Sequence, residues 1–400
     1  MGASSCGMTR RNYLMGSAGA MIAATGIASA GLSSATQAQP APAPNPQKYR
    51  CPPCGCASDK VIFDKPGSCP SCGMTLIPID EHGVTKVAVL MFDGAEIIDF
   101  AGPWEAFGTA GFAVHSVAAK IEPLTMVFGQ TLTPDYTFET SPQADVLLVP
   151  GGGVFRHLDD ERTIGWIRAQ AQKVDHVMSV CTGAYFLQKA GLLAGQTVTA
   201  TNGMIEDFAT PDTRVVYDRR YVDNGKILTT AGLSSGIDGA IHLISKLRGL
   251  GFAQAVALEM EYPWDPDDKW ARADLADRFL PSQLLSRRGE IDGAKFGILS
   301  TQGTADRWET RLLFSQPTTD ADVTALLRKL IAANKATGGM FKPTSHIKGP
   351  PAFDAAASRS QLSWRFTDDE GRSWKGVASI APGSSATPGL VATMKLSLAS

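Results

Sequence analysis

Cys181 is the residue of this 400-residue chain best placed for nucleophilic chemistry. It follows Val177-Met178-Ser179-Val180, which reads as a strand, and opens Cys181-Thr182-Gly183-Ala184-Tyr185, which reads as the start of a helix. Unpaired N–H groups at a helix N-terminus favour an anion, so this position predicts a lowered thiol pKa and a reactive thiolate. A thiolate adding to an electrophile also needs donors for the negative charge that develops. Pro150-Gly151-Gly152-Gly153 follows a strand over 145–149 and can turn backbone N–H groups inward. Gly151, Gly152 and Gly153 are therefore the candidate oxyanion and substrate-binding residues, with the Thr182 amide as another donor. Asp99, at the start of a helix directly after the first strand, is the candidate general acid, because a carboxyl group beside a thiolate is pushed toward its protonated form. Blander roles stand beside these: packing or redox sensing for Cys181, helix capping for Asp99 and simple chain turning for the glycines.

A second cluster is built from sulfur alone. Cys51-Pro52-Pro53-Cys54 and Cys69-Pro70-Ser71-Cys72 are two C-x-x-C pairs separated by 14 residues. Two such knuckles place four thiolates around one ion, as in zinc ribbons, so Cys51, Cys54, Cys69 and Cys72 are the candidate metal ligands. Cys56 is a fifth sulfur, available for exchange or for a more thiolate-rich site. A unit of about 30 residues cannot bury enough apolar surface to fold alone, so a metal would supply much of its stability. A structural metal, a pair of disulfides and a metal-sensing or metal-delivery role all fit this spacing.

The elements around these residues alternate. Short apolar runs over 86–92, 146–149 and 177–180 suit strands buried on both faces, with helical patterns over 99–109, 159–173 and 182–190 between them. This predicts a parallel sheet sandwiched by helices, with Cys181 at the crevice where open α/β sheets bind ligands. Asn224-Gly225 marks a hairpin over 221–228, and Ser235-Gly236-Ile237-Asp238 has capping-box spacing for a helix running to Arg248. Residues 265–400 read as a small α+β module: strands over 308–314, 360–366, 374–380 and 390–398 and a helix over 319–334, with no motif that carries chemistry.

At 44% hydrophobic and 19% charged, the chain can bury a core. Its formal net charge of −2 gives no electrostatic reason to expect nucleic acid or an anionic membrane as partner. The N-terminus carries Arg10-Arg11, a mild Gly/Ala-rich apolar stretch over 15–32 and a small-residue exit at Thr36-Gln37-Ala38. This is the pattern of a twin-arginine export signal over 1–38 and predicts a periplasmic protein. The stretch is too weakly apolar to hold as an anchor, so no stable membrane insertion is expected once it is removed. A proline-spaced linker follows over 39–48, then the cysteine module over 49–80 and the α/β domain over 85–264.

Two resemblances extend these readings. Tyr49-x-Cys51-Pro52 with Lys65-Pro66-Gly67-Ser68-Cys69-Pro70-x-Cys72-Gly73-Met74 resembles the heavy-metal-binding domain of copper-efflux proteins and metal-transporting ATPases. Pro53 and Cys54 stand where that family has Met and His, which makes this version more thiolate and favours zinc or another soft divalent metal over copper. Phe92-Asp93-Gly94 through Asp99-Phe100-Ala101-Gly102-Pro103, Val149-Pro150-Gly151-Gly152 and Ser179-Val180-Cys181-Thr182-Gly183-Ala184 resemble the ThiJ/PfpI superfamily, and its isonitrile hydratase and regulator-type amidotransferase-like branches in particular.

That resemblance implies a flavodoxin-like fold with no cofactor in the α/β domain. It implies Cys181 as nucleophile, Thr182 as its assistant and Asp99 as acid, a small-molecule substrate, and homodimerisation as seen among relatives. Many members carry a histidine where Thr201 or Asn202 stands here, so Cys-His proteolysis is disfavoured; the six histidines offer no obvious substitute, and His157, just past the glycine loop, is the one candidate to lie near. Three functions remain open. The chain is a cysteine-dependent lyase or hydrolase of the isonitrile hydratase kind, a non-catalytic ligand-binding or redox-sensing module, or a metal-handling protein whose ribbon is the working part.

Overall fold

Strands whose side chains are apolar on both faces form the middle of the molecule. The computed structural model describes residues 48–52, 55–79, 84–268, 270–285, 288–315, 318–333, 346–354 and 358–399. The stretch expected to be an export signal, nearly all of the expected linker, and Cys54 lie outside the described residues.

In the α/β domain the order is β1 (Lys86–Leu90), α1 (Ile97–Thr109), β2 (Ala113–Ala118), β3 (Tyr136–Thr137), β4 (Val146–Val149), α2 (Glu161–Lys173), β5 (His176–Val180), α3 (Ala184–Lys189), β6 (Tyr221–Asp223), β7 (Ile227–Thr230), α4 (Ser235–Arg248) and α5 (Leu250–Glu259). They build a seven-stranded sheet in the order β6-β7-β5-β4-β1-β2-β3. All neighbours are parallel except the edge pair β6–β7, the hairpin expected at Asn224-Gly225. β4 and β7 are buried at every position, as strands covered by helices on both faces must be. α1, α4 and α5 pack together, and α2 packs on α3. α2 shows why such a segment is helical: Asp160 caps it by accepting the Arg162 amide at 3.1 Å, and Thr163, Ile164, Trp166, Ile167 and Ala171 bury one stripe.

One local expectation is corrected. α4 begins without a capping box: its N-cap, Ser234, makes no side-chain cap bond. Asp238 turns instead to the buried Arg220, whose Nε lies 2.8 Å from Asp238 Oδ2, and the Tyr262 hydroxyl donates to the same oxygen at 3.0 Å.

Residues 48–79 form a three-stranded antiparallel sheet around Cys51, Cys69 and Leu76, tied to the α/β domain where Arg50 Nη2 donates to the Gly111 carbonyl at 2.9 Å. The C-terminal region holds β8 (Arg288–Ile291), β9 (Ala294–Gly303), β10 (Arg307–Phe314), α6 (Asp320–Ala332), β11 (Ile347–Phe353), β12 (Gln361–Asp368), β13 (Ser373–Pro382) and β14 (Leu390–Leu398). These strands make one antiparallel sheet in the order β8-β9-β10-β14-β13-β12-β11. Burial alternates along β10, β12 and β13, so one face meets α6 in a core that includes Trp364, Trp374, Leu312 and Leu327, while the other faces water. His346 joins this region to the α/β domain through Glu206: His346 Nε2 lies 3.2 Å from Glu206 Oε1, and both side chains are buried.

Candidate active site and metal centre

Four loops that leave the carboxyl ends of neighbouring strands β1, β4, β5 and β7 meet around Cys181. Cys181 stands at the elbow between β5 and a 3₁₀ turn (Cys181–Gly183) that leads into α3, with φ of 59°. A left-handed conformation is strained for a residue with a Cβ, and here the surrounding loops hold it. The Cys181 amide donates to the Ala231 carbonyl at 3.2 Å, which pins the elbow to the loop after β7.

Asp99 sits in the first turn of α1 and is fully buried. It does not cap its own helix. Its Oδ2 accepts the Gly151 amide at 3.1 Å and its Oδ1 accepts the Leu233 amide at 3.2 Å. Leu233 itself has φ of 56°, a second left-handed residue at the site. Burial pushes the Asp99 carboxyl up to about 7, helped by the charge of Glu96 and opposed by hydrogen bonds from Gly151, Cys181 and Leu233.

Cys181 moves the same way. Burial pushes its thiol up to about 12, and the Asp99 charge adds to this against hydrogen bonds with the Thr201 hydroxyl and Thr182 amide. The expectation of a thiolate stabilised by the helix N-terminus is therefore corrected. The helix offers only a 3₁₀ turn and the six residues of α3, and desolvation beside a carboxylate outweighs its amides. At neutral pH the resting group is a thiol next to a carboxyl that titrates near neutrality.

The glycine loop also departs from its expected role. The Gly151 amide is taken by Asp99, the Gly152 amide donates to Thr182 Oγ1 at 2.9 Å, and the Gly153 amide donates to the Gly94 carbonyl at 2.7 Å. Gly151, Gly152 and Gly153 thus brace the site rather than stand open as oxyanion donors. Thr182 belongs to the same brace, since its hydroxyl donates to the Gly152 carbonyl at 3.1 Å. Gly151 has a steric reason to be glycine: a Cβ there would lie 2.7 Å from the Thr182 nitrogen and 2.8 Å from Asp99 Oδ2.

Thr201, not Asn202, is the residue that reaches the thiol; Asn202 is exposed. His157 is held elsewhere, its Nε2 2.9 Å from the Asp93 carbonyl oxygen and its ring edge-on to Phe92. Leu233 escaped the sequence reading because its contribution is a backbone amide 134 residues from Asp99. The only sequence signal for Thr201 was its place where relatives have histidine.

In the cysteine module, Cys51, Cys56, Cys69 and Cys72 bring their sulfurs within 4.8 Å of one another. Cys56, read from sequence as a spare sulfur, is one of the four. Measured separations are 3.4 Å for Cys51–Cys72, 3.7 Å for Cys51–Cys56 and 3.8 Å for Cys56–Cys69. A tetrahedral ion with metal–sulfur bonds of about 2.3 Å has sulfur–sulfur edges of about 3.8 Å, close to these three separations, so the four thiols suit a soft metal ion. They would hold the metal, and its chemistry there would be to cross-link the module.

Two segments of the chain match known families. Residues 85–246 match the DJ-1/PfpI family and residues 48–79 the heavy metal binding domain. Isonitrile hydratase of Pseudomonas putida is 37% identical over 186 residues, covering 46% of this chain and 81% of that protein. The HTH-type transcriptional regulator GbdR of Pseudomonas aeruginosa is 24% identical, covering 45% of this chain and 52% of the regulator. Among solved structures, a ThiJ/PfpI family protein from Pseudomonas syringae is 29% identical with a TM-score of 0.43, covering 47% of this chain and 79% of that one. With a metal-binding module ahead of it and an antiparallel sheet after it, the α/β domain places the chain in the DJ-1/PfpI family.

Proposed function

We propose that the α/β domain is a cysteine-dependent hydratase that adds water to a small electrophile of the isonitrile type. The observation that carries this reading is the contact between the elbow thiol of Cys181 and the buried carboxyl of Asp99, which burial raises to about 7. A carboxyl titrating near neutral pH can give and regain a proton in each turnover. In the proposed reaction the Cys181 sulfur bonds to the terminal carbon of R–NC while Asp99 delivers a proton to that carbon. Asp99 recovers its proton from the thiol, and a thioimidate forms. Water then adds to the same carbon, the carbon–sulfur bond breaks, the sulfur leaves as thiol, and an N-substituted formamide is released. Thr201 hydrogen-bonds the sulfur, while Thr182 and the glycine loop hold Asp99 and the elbow in register. Mass spectrometry of the Cys181 peptide after rapid quenching with an alkyl isonitrile tests this: an adduct of the isonitrile mass supports it, and an unmodified peptide during turnover refutes it.

The converging thiols favour a second reading, in which the cysteine module binds zinc or another soft metal and the thiol domain reports metal or oxidative stress. Export by the twin-arginine route to the periplasm, proposed from Arg10-Arg11 and the residues that follow, suits either reading. Cell fractionation of wild type and an Arg10→Lys/Arg11→Lys variant tests it.

A further inference from the structure

The net charge of −2 conceals a segregation that only the C-terminal sheet makes visible. Its inward face is apolar apart from residues such as Thr310 and Asp368, so the basic side chains on the alternate positions of its strands are displayed on the other face. Arg307 and Arg311 on β10, Lys348 on β11, Arg365 on β12 and Lys375 on β13 are all exposed there, and none of the five forms an ion pair among the described residues. Lys395 on β14 adds a sixth cation, paired with Glu309 at 2.9 Å. Across strands β9 to β14, Glu309 is the one acid that points outward; Asp368 is buried beneath the sheet against Trp374 and Arg372.

The registers place these cations side by side. Arg365 lies directly opposite Lys375, Lys375 opposite Ser397, and Ser397 opposite Arg307, so one row crosses four strands. Val377, the next outward residue on β13, lies opposite Lys395, and Thr393 opposite Arg311. Like charges directly opposite destabilise a sheet, and among the described residues neither Arg365 nor Lys375 has an ion-pair partner. Between the cations lie Gln361, Ser363, Thr367, Ser379, Thr393 and Ser397, with Leu313, Val377 and Val391 among the apolar residues of the same face. No aromatic side chain lies among them to stack a nucleobase.

From this juxtaposition we infer that the outer face of the C-terminal sheet docks on an anionic phospholipid surface. Its cations spread in two dimensions, over five strands and several registers, and complement a planar array of phosphates; a linear polyanion would follow one track. No helix among the described residues is long and apolar enough to cross a membrane, so the contact is peripheral and electrostatic.

The test is co-sedimentation of the full chain with vesicles of phosphatidylcholine alone or mixed with phosphatidylglycerol, at low and high salt. The wild type is expected to sediment with the anionic vesicles only, and to be released by salt. Removing each charge should weaken partitioning roughly fivefold, so Arg365→Gln/Lys375→Gln should weaken it about 25-fold. Lys173→Gln/Lys226→Gln, which removes two exposed charges from the α/β domain, should leave it unchanged. Equal binding to neutral vesicles, equal losses in both variants, or retention on heparin or single-stranded DNA without vesicle binding would each overturn the assignment.

Discussion

The Asp99 carboxyl and the Cys181 thiol hydrogen-bond to each other, and burial raises the pKa of both. The influence runs in opposite directions: the Asp99 charge adds to the rise at Cys181, while the bond from Cys181 opposes the rise at Asp99. When the sulfur bonds to a substrate, Asp99 loses a hydrogen bond that lowers its pKa and is held more firmly in its protonated form.

The first prediction concerns the thiol. The Asp99 charge is the second cause of the raised Cys181 pKa, so Asp99→Asn should lower it. Alkylation of Cys181 by iodoacetamide across pH should show the apparent pKa falling by more than one unit in the variant. An unchanged or higher value contradicts the pairing.

The second is a stability effect with a definite sign. Asp99 has a folded pKa of about 7 against 3.8 for an ordinary carboxylate. Its protonated form suits the fold, so its contribution is fully present below pH 3.8 and is lost as pH rises through 7. The shift corresponds to at most about 4 kcal/mol. Thermal denaturation of Asp99→Asn and wild type should therefore move in favour of the variant between pH 5 and pH 8, whatever their offset at pH 5.

Much of the site was legible in the sequence, and the missing parts share a cause. Cys181 was marked by its strand-to-helix context, Asp99 by its place after the first strand, and Gly151 by its glycine run. The direction of the thiol pKa was not, because burial arises only when four loops close over it. The Leu233 amide was invisible for the same reason, and Thr201 was marked only as one of two residues standing where relatives have histidine. In the fold, β2 escaped notice because His115 and Ser116 interrupt its apolar pattern, although both are buried. Asp238 lies where a capping box needs an acid, but Arg220 claims it. Local pattern therefore located the reactive residues, while tertiary packing decided their protonation.

The brace around the elbow should be intolerant of added atoms. Gly151→Ala places a methyl group 2.7 Å from the Thr182 nitrogen and 2.8 Å from Asp99 Oδ2. Chemical denaturation should show a loss of about 1–3 kcal/mol, and turnover should fall with it.

Removing one partner of the buried Arg220–Asp238 pair strands the other. Arg220→Ala should cost about 3–5 kcal/mol in a denaturant titration, and Arg220→Ala/Asp238→Ala should recover part of that loss. A single variant as stable as wild type contradicts the role given to this pair.

For the metal centre, the converging sulfurs predict that Cys56→Ser lowers bound metal as much as Cys51→Ser does. Elemental analysis of the purified variants checks this; full metal content in Cys56→Ser would move the fourth ligand elsewhere.

The central claim, that Cys181 and Asp99 together hydrate an isonitrile, is tested most directly by formamide production from a simple alkyl isonitrile at neutral pH. Wild type should form the N-alkylformamide catalytically, Cys181→Ala should form none, and Asp99→Asn should retain its thiol yet lose at least a hundredfold in kcat, the scale of general acid–base assistance of about 10²–10⁴. Turnover that persists in Cys181→Ala, or wild type that produces no formamide, contradicts it.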